Sequence, residues 1–179
     1  MNTNTLWKRL VVVVALGGAL LGVPAYSSVS EIIAVGTIPH SELFDGPATV
    51  TVRKLTIDPG EILTWHYHPG RAYSVVLSGT LTAEDGCGGE VVLTPGQSFE
   101  EVSGRVHRAK NLGTVPVVVI NTFIVRQGSP TTIQIPNNQR LCGPPESAEE
   151  CKNGRWMNFT HPRPFSSKFD CIQYVKTGN

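Results

Sequence analysis

The stretch GEILTWHYHPGRAYSVVLSG, residues 60–79, places two histidines one residue apart in a segment rich in β-branched and aromatic residues. Such residues favour β-strands. Because side chains alternate between the two faces of a strand, His66 and His68 point to the same face, roughly 7 Å apart along the chain. Imidazole is a common metal ligand, so the pair is a candidate for two ligands of one ion.

Short strands are expected on both sides of this stretch. From about Glu31 to Ile135, turn signals separate segments rich in Val, Ile, Thr and aromatic residues: ATVTVRKLTI (48–57), ILTWHYH (62–68), YSVVLSGTLTAE (73–84), EVVLTPG (90–96), PVVVINTFIV (116–125) and TTIQI (131–135). No segment in this range has a sustained apolar period of 3.6 residues. Regularly spaced short strands predict an all-β sandwich or barrel.

The first 25 residues are typical of a secretory signal peptide. Lys8 and Arg9 precede a 14-residue apolar run, residues 10–23, which is shorter than the roughly 20 residues that a transmembrane helix needs. Cleavage is expected after Ala25, with Ser27 as an alternative, and an uncleaved membrane anchor is the competing interpretation. We therefore expect a secreted or periplasmic bacterial protein, with no membrane contact after cleavage.

Export changes the chemistry expected of the four cysteines, Cys87, Cys142, Cys151 and Cys171. Disulfides persist in an oxidising compartment, and four cysteines allow three pairings. Three of the cysteines lie in a polar, turn-rich segment after Pro136. We interpret residues 137–179 as a disulfide-fastened extension of a β domain at residues 26–136, preceded by the signal peptide at residues 1–25.

The histidine pair is part of a longer pattern. Eight residues stand at characteristic spacings: Gly60, His66, His68, Gly79, Gly96, Gly104, His107 and Asn111. Over roughly residues 45–125, this pattern resembles the two conserved motifs of the cupin superfamily. The resemblance implies a small single-domain cupin, that is, an all-β double-stranded β-helix or jelly-roll barrel, here with a short irregular, disulfide-bonded C-terminal extension.

The resemblance also implies a metal site at His66, His68 and His107, but the family's motif glutamate falls on Ala72. A second departure, Val102 at the motif proline, affects a turn. Three imidazoles suit Fe, Zn, Cu or Ni, whereas Mn prefers carboxylates. We therefore expect a divalent transition metal, from the first group rather than Mn. The alternative is a degenerate cupin whose histidines bind nothing tightly.

Glu101 is a candidate for the missing carboxylate. In cupins the residue directly before the motif proline faces the barrel interior, and Glu101 occupies that position, with Phe99 on the same face. A carboxylate in an apolar barrel needs a cation or hydrogen-bond donors. We predict that Glu101 is a metal ligand or a partner of the ligands. The alternative is that it turns outward, or pairs with Arg105 or Arg108.

The segment from Cys151 to Gly178 has a resemblance of its own. It resembles a cysteine-bounded segment at the ends of various secreted bacterial proteins, and this implies a Cys151–Cys171 disulfide and secretion, but no substrate. For the other two cysteines we predict a Cys87–Cys142 disulfide, which would hold the start of the extension to the EDGCGG turn at residues 84–89.

Three functions are compatible with these features. The first is a metal-dependent oxidoreductase of dioxygenase type that acts on a small polar or anionic molecule. The second is a non-catalytic module that binds a sugar or another small molecule with a degenerate metal site. The third is a domain kept for stability, with its partner surface elsewhere. A homodimer is compatible with all three, and the formal net charge of +1 gives no electrostatic reason to expect nucleic acid.

Overall fold

The computed structural model describes residues 28–179, so the predicted signal peptide lies outside the described residues. Within these residues, ten strands follow in chain order: β1 (Val29–Ser41), β2 (Gly46–Ile57), β3 (His66–Tyr67), β4 (Arg71–Ser78), β5 (Leu81–Asp85), β6 (Glu90–Leu93), β7 (Ser98–Glu101), β8 (His107–Lys110), β9 (Val117–Arg126) and β10 (Ile133–Gln134). They form two five-stranded antiparallel sheets, in the orders β1-β2-β9-β4-β7 and β10-β3-β8-β5-β6. This arrangement confirms the predicted jelly roll.

The core lies between the two sheets and is built from alternate residues of their strands. Strand β9 shows the alternation along its whole length, because every second residue from Val117 to Val125 is buried. The main apolar cluster draws on both sheets: Leu55, Ile57, Val76, Leu81, Leu93, Val117 and Val119. Full burial of one such side chain stabilises the fold by about 1.5–3 kcal/mol.

The turn after His68 requires a glycine at position 70. A Cβ atom there would lie 2.0 Å from the carbonyl oxygen of Ile124 on β9, so only a residue without a side chain lets the loop pass this strand. A second contact fixes the same loop, since the Gly104 amide donates to the carbonyl of His68 at 2.8 Å. These contacts hold His68 against the neighbouring sheet.

The C-terminal extension contains 3₁₀ helices at Pro136–Asn138 and Arg155–Asn158 and one α-helix, α1 (Lys168–Thr177). Helix α1, which the sequence analysis did not predict, has a side-chain cap: the Ser167 hydroxyl accepts from the Asp170 amide. Gly178 ends the helix in the left-handed conformation, with φ 76°.

Both predicted disulfides, Cys87–Cys142 and Cys151–Cys171, are confirmed. The first joins the extension to the turn after β5, and the second lies in a small apolar cluster with Phe159 and Phe165. Such bonds point to a non-cytoplasmic environment. Within residues 28–179, no helix combines the length and apolar character that a membrane span requires. The division into residues 26–136 and 137–179 stays a prediction.

Candidate metal centre

The three motif histidines converge on the inner face of one sheet. His66 on β3 pairs directly with His107 on β8, and His68 lies two residues further along the same face, as its spacing predicts. The ring centroids are 4.6, 5.0 and 5.2 Å apart, and one nitrogen atom of each ring lies within 4.8 Å of the other two. The sequence pattern therefore identified three side chains that the fold brings together.

A backbone carbonyl orients each imidazole. The Nδ1 atoms of His66, His68 and His107 lie 2.7, 2.7 and 2.8 Å from the carbonyl oxygens of Thr64, Thr131 and Arg105, respectively. A carbonyl oxygen only accepts, so each Nδ1 carries the proton and donates it. In the neutral tautomer this leaves the lone pair on Nε2, which is the arrangement that metal-binding histidines have.

Glu101 faces the same centre from the other sheet. Its side chain is buried on β7, with Oε2 at 2.6 Å from Nε2 of His68 and at 3.4 Å from Nε2 of His107. An oxygen and a nitrogen that both carry lone pairs approach this closely when a proton or a cation lies between them. Glu101 therefore contacts two of the three imidazoles, and its carboxylate lies at the edge of the histidine cluster.

The alternative, in which Glu101 turns outward or pairs with Arg105 or Arg108, is wrong, because the Glu101 side chain is buried and contacts histidines. Arg105 instead contacts Asp85 at 3.3 Å, and Arg108 contacts Glu84 at 2.7 Å. Both arginines thus have carboxylate partners outside the centre. The role of Glu101 as a metal ligand stays a prediction.

The register places Glu101 directly across from the position of the family's motif glutamate. Ala72 on β4 and Glu101 on β7 are direct antiparallel partners. The side chains of such partners lie on the same face of the sheet, with Cβ atoms about 4.5–5.5 Å apart. A glutamate on β7 can therefore reach much the same region as a glutamate at position 72, where the alanine leaves room for it.

A row of polar side chains holds Glu101 in place. Ser74 Oγ donates to Glu101 Oε1 at 2.7 Å, and Asn121 Nδ2 donates to Ser74 Oγ at 2.6 Å. Arg53 Nη2 in turn donates to Asn121 Oδ1 at 3.3 Å. The row follows the strand register, since Asn121 pairs with Arg53 on β2 and with Ser74 on β4. It binds one carboxylate oxygen and leaves the other directed at the histidines.

Sequence reasoning missed Arg53, Ser74 and Asn121. A signal was present in β9, because Asn121 occupies the middle of an inner face that is otherwise apolar. A polar residue at such a position needs a hydrogen-bond partner. The partner could not be identified without the register between strands.

Burial and mutual contacts set the charges of the centre. Burial, and after it the neighbouring His107, lowers the pKa of His66 to about 3. Burial alone would raise the pKa of Glu101, but hydrogen bonds with His107 and His68 outweigh it and hold this pKa well below its usual range. For His107, burial alone would lower the pKa, but the hydrogen bond with Glu101 outweighs burial, so the pKa is raised. Glu101 is therefore a buried anion that requires a cationic neighbour.

A cavity of about 40 Å³ adjoins the centre and is lined by residues of both sheets. A larger opening of about 430 Å³ shares Phe99, Glu101 and His107 with it. Glu146 and Glu150 of the extension border this opening. The centre is thus reached from the side that the extension partly covers.

Asn111, the last residue of the second motif, lies outside the centre. Its Nδ2 donates to the carbonyls of Ile57 and Val115, both at 2.9 Å, and its Oδ1 accepts from the Gly113 amide at 3.0 Å. The side chain is fully buried. Its role is therefore structural, since it ties the turn after β8 to the end of β2.

The donor set fits a divalent transition metal. Imidazole nitrogen and carboxylate oxygen are ligands of Zn, Fe, Cu, Ni and Mn. The preference for Fe, Zn, Cu or Ni over Mn depended on a site without a carboxylate, and Glu101 removes that reason. The three histidines and the cupin-like fold thus indicate a divalent metal site without identifying the metal.

A comparison with known families agrees with this fold. The family model for the cupin domain matches residues 53–123, whereas no curated protein matches the chain. The model covers both motifs, including His66, His68 and His107, and it also includes Glu101 and Arg53.

Solved structures with the same kind of fold are similar to this chain. A protein with a double-stranded β-helix domain from Klebsiella pneumoniae is 20% identical, with 60% of this chain and 83% of that chain covered, at a TM-score of 0.46. A cupin domain of an XRE family transcriptional regulator from Enterobacter cloacae is 20% identical, with coverages of 56% and 97% and a TM-score of 0.42. An oxalate oxidase in complex with the substrate analogue glycolate is 20% identical, with coverages of 49% and 46% and a TM-score of 0.43.

These similarities concern the fold alone, and the family assignment rests on the match of the domain model together with the two motifs. The chain thus contains a cupin domain, matched over residues 53–123.

Proposed function

We propose that this protein is an exported metal-dependent cupin that holds one divalent transition-metal ion through Nε2 of His66, His68 and His107. Glu101 is the fourth ligand or accepts a charge-assisted hydrogen bond beside the ion. The observation that carries the proposal is the orientation of the imidazoles, in which three carbonyls take the Nδ1 protons and direct Nε2 inward.

We propose an oxidoreductase of dioxygenase type that acts on a small polar or anionic molecule. A bound transition metal supplies Lewis acidity and, when it is redox-active, one-electron chemistry. Among the described residues that line the cavity, the only carboxyl and imidazole groups are Glu101 and the three histidines. The chain therefore offers no separate acid–base pair there, and its own residues bind, orient and desolvate the reactants.

Export is part of the same proposal. The two disulfides support it, and the proposed signal peptide at residues 1–25 would provide the route. The N-terminal sequence of the mature protein tests this, with a start at Tyr26 or Ser28 expected.

The experiment that tests the metal site is elemental analysis of the purified protein. We expect roughly one transition-metal ion per chain, as one centre requires, and loss of that ion when His66 and His68 are both replaced by Ala. His40→Ala is the matched control, because His40 is exposed on β1 and should leave the metal content unchanged. Equal metal content in the wild type and the double variant would reject the site.

A further inference from the structure

Arg53 is a partly buried cation on the inner face of the barrel, and its hydrogen bonds are incomplete. It lies on the inner face of β2 and lines the same cavity as His66 and His68. The guanidinium carries five N–H groups, yet the described residues give it one side-chain partner, Asn121. Its Nε atom is buried and has no hydrogen-bond partner among them. A buried donor in this state is unfavourable unless a ligand completes it.

The position of Arg53 is fixed from two sides. Its guanidinium stacks on the ring of Phe123, with Cζ at 4.5 Å from the centroid, and the same ring packs against His68 at 4.9 Å. The polar row described above also links Arg53 to Glu101 through Asn121 and Ser74. The Arg53 guanidinium and the His68 imidazole therefore pack against the same aromatic ring, where the two sheets face each other.

No carboxylate of the described chain forms a direct ion pair with Arg53. Glu101, the acidic residue in the cavity, contacts Ser74 with one oxygen and His68 and His107 with the other. The acidic residues of the outer opening have basic partners of their own: Glu84 with Arg108 and Lys110, Glu90 with Lys110, Glu100 with Arg71, and Asp85, Glu146 and Glu150 with Arg105. The Arg53 guanidinium thus has no carboxylate in direct contact among the described residues.

We propose that Arg53 anchors the carboxylate group of a small substrate beside the metal centre. The inference rests on the proposed function only in calling the ligand a substrate. The binding site itself is formed by Arg53 and the cavity. A guanidinium binds a carboxylate with two parallel hydrogen bonds, for which the planar anion is the best match. A cavity of about 40 Å³ holds about three water-sized groups, so the buried part of the ligand is a short-chain carboxylate.

Titration calorimetry with propionate tests the proposal, with propionamide as the uncharged analogue of the same shape. Metal-loaded and chelator-treated protein are both titrated, and metal content is measured on each sample. We expect propionate to bind at least 10-fold more tightly than propionamide. Equal affinities for the two compounds would overturn the proposal, as would tighter binding of inorganic phosphate than of propionate.

Variants assign the binding to one residue. Arg53→Met keeps an apolar contact with Phe123 and should weaken propionate binding at least 10-fold, with metal content unchanged. Arg53→Lys keeps the charge but loses the two-pronged geometry and should give an intermediate affinity. The matched control is Arg71→Met, which removes a half-exposed arginine paired with Glu100 on the outer surface and should bind propionate like the wild type. Binding to Arg53→Met within twofold of the wild type would reject the anchor.

Nuclear magnetic resonance of the wild type gives a measurement that is valid even if a variant fails to fold. The Nε–H signal of Arg53 should shift on addition of propionate and stay in place on addition of propionamide. An unmoved signal at saturating propionate would overturn the assignment. Loss of metal content with intact propionate binding would instead contradict the proposed function alone, so the two failures are distinguishable.

Discussion

Each imidazole of the centre donates its Nδ1 proton to a backbone carbonyl, and these bonds determine which nitrogen can bind a cation. The carbonyls of Thr64 and Arg105 lie two residues before the histidines that they orient, whereas Thr131 comes from the segment before β10. Two of the three orientations are thus local consequences of strand geometry. The third depends on the packing of a distant segment against His68.

Glu101→Gln tests the carboxylate at the scale of one residue. The amide keeps the shape and the contact with Ser74 but removes the charge, so we expect metal affinity to fall about 10-fold or more. The measurement is competition with a chelator of known affinity. Glu100→Gln is the control, because Glu100 is a half-exposed neighbour that pairs with Arg71 on the outer face. Unchanged affinity in Glu101→Gln would leave a three-histidine site.

The raised pKa of His107 predicts a pH dependence. Below that pKa the ring is protonated and must release a proton before Nε2 can bind a cation. Metal affinity should therefore fall as pH falls, by about tenfold per pH unit below the pKa of His107. His66, whose pKa is lowered to about 3, stays neutral over this range and adds no second step. Chelator competition between pH 5 and 8 measures the slope, and a flat profile would contradict it.

At the scale of strands, the β4–β7 pairing places the Glu101 carboxylate directly across from Ala72, where the family's motif glutamate would stand. The polar row on the same sheet, through Ser74 and Asn121, orients this carboxylate. In the proposed metal site, register and polar row together would compensate for the alanine at position 72.

A double variant tests this compensation. Glu101→Ala alone should lose metal affinity, and Ala72→Glu added to it should restore at least part of that affinity. Ala72→Glu alone should destabilise the protein, because two carboxylates would then lie directly opposite each other. Chelator competition and thermal melting measure the two effects. If the double variant bound metal no better than Glu101→Ala, the compensation account would be wrong.

Much of this strand architecture could be predicted from the sequence, because half-buried strands leave a period of two in the hydrophobic pattern. The shared face of His66 and His68 follows from this period, whereas β9 is apolar at most positions and its buried alternation is set by the sheet. Strand β1 was not predicted as a strand, since it is an edge strand exposed on both faces and carries no such pattern. The position of Arg53 in the cavity could not be predicted either, because it depends on register between strands distant in sequence.

At the scale of the whole molecule, Arg105 and one disulfide are among the contacts that fasten the extension to the barrel. Arg105, next to the second motif, donates to the carbonyl of Pro144 at 2.9 Å and contacts Glu150 at 3.4 Å, while its other nitrogen contacts Asp85 on β5 at 3.3 Å. The Cys87–Cys142 disulfide adds a covalent link nearby. Together they keep the extension at the opening of the metal centre.

The two disulfides should therefore have different effects when removed. Replacing Cys151 and Cys171 by Ser opens a loop with a sequence separation of 20, which should cost the extension about 3 kcal/mol and increase hydrogen exchange at α1. Metal content should stay unchanged. Replacing Cys87 and Cys142 by Ser releases the extension from the barrel and should speed removal of metal by a chelator. Equal removal rates in the two double variants would contradict this role.

The most direct test of the central claim is anomalous diffraction from crystals of the metal-loaded protein. We expect one anomalous peak per chain, about 2.0–2.2 Å from Nε2 of His66, His68 and His107, with the Glu101 carboxylate at the same ion or hydrogen-bonded beside it. A peak elsewhere, ligation through Nδ1, or a site with no peak after metal loading would contradict the account.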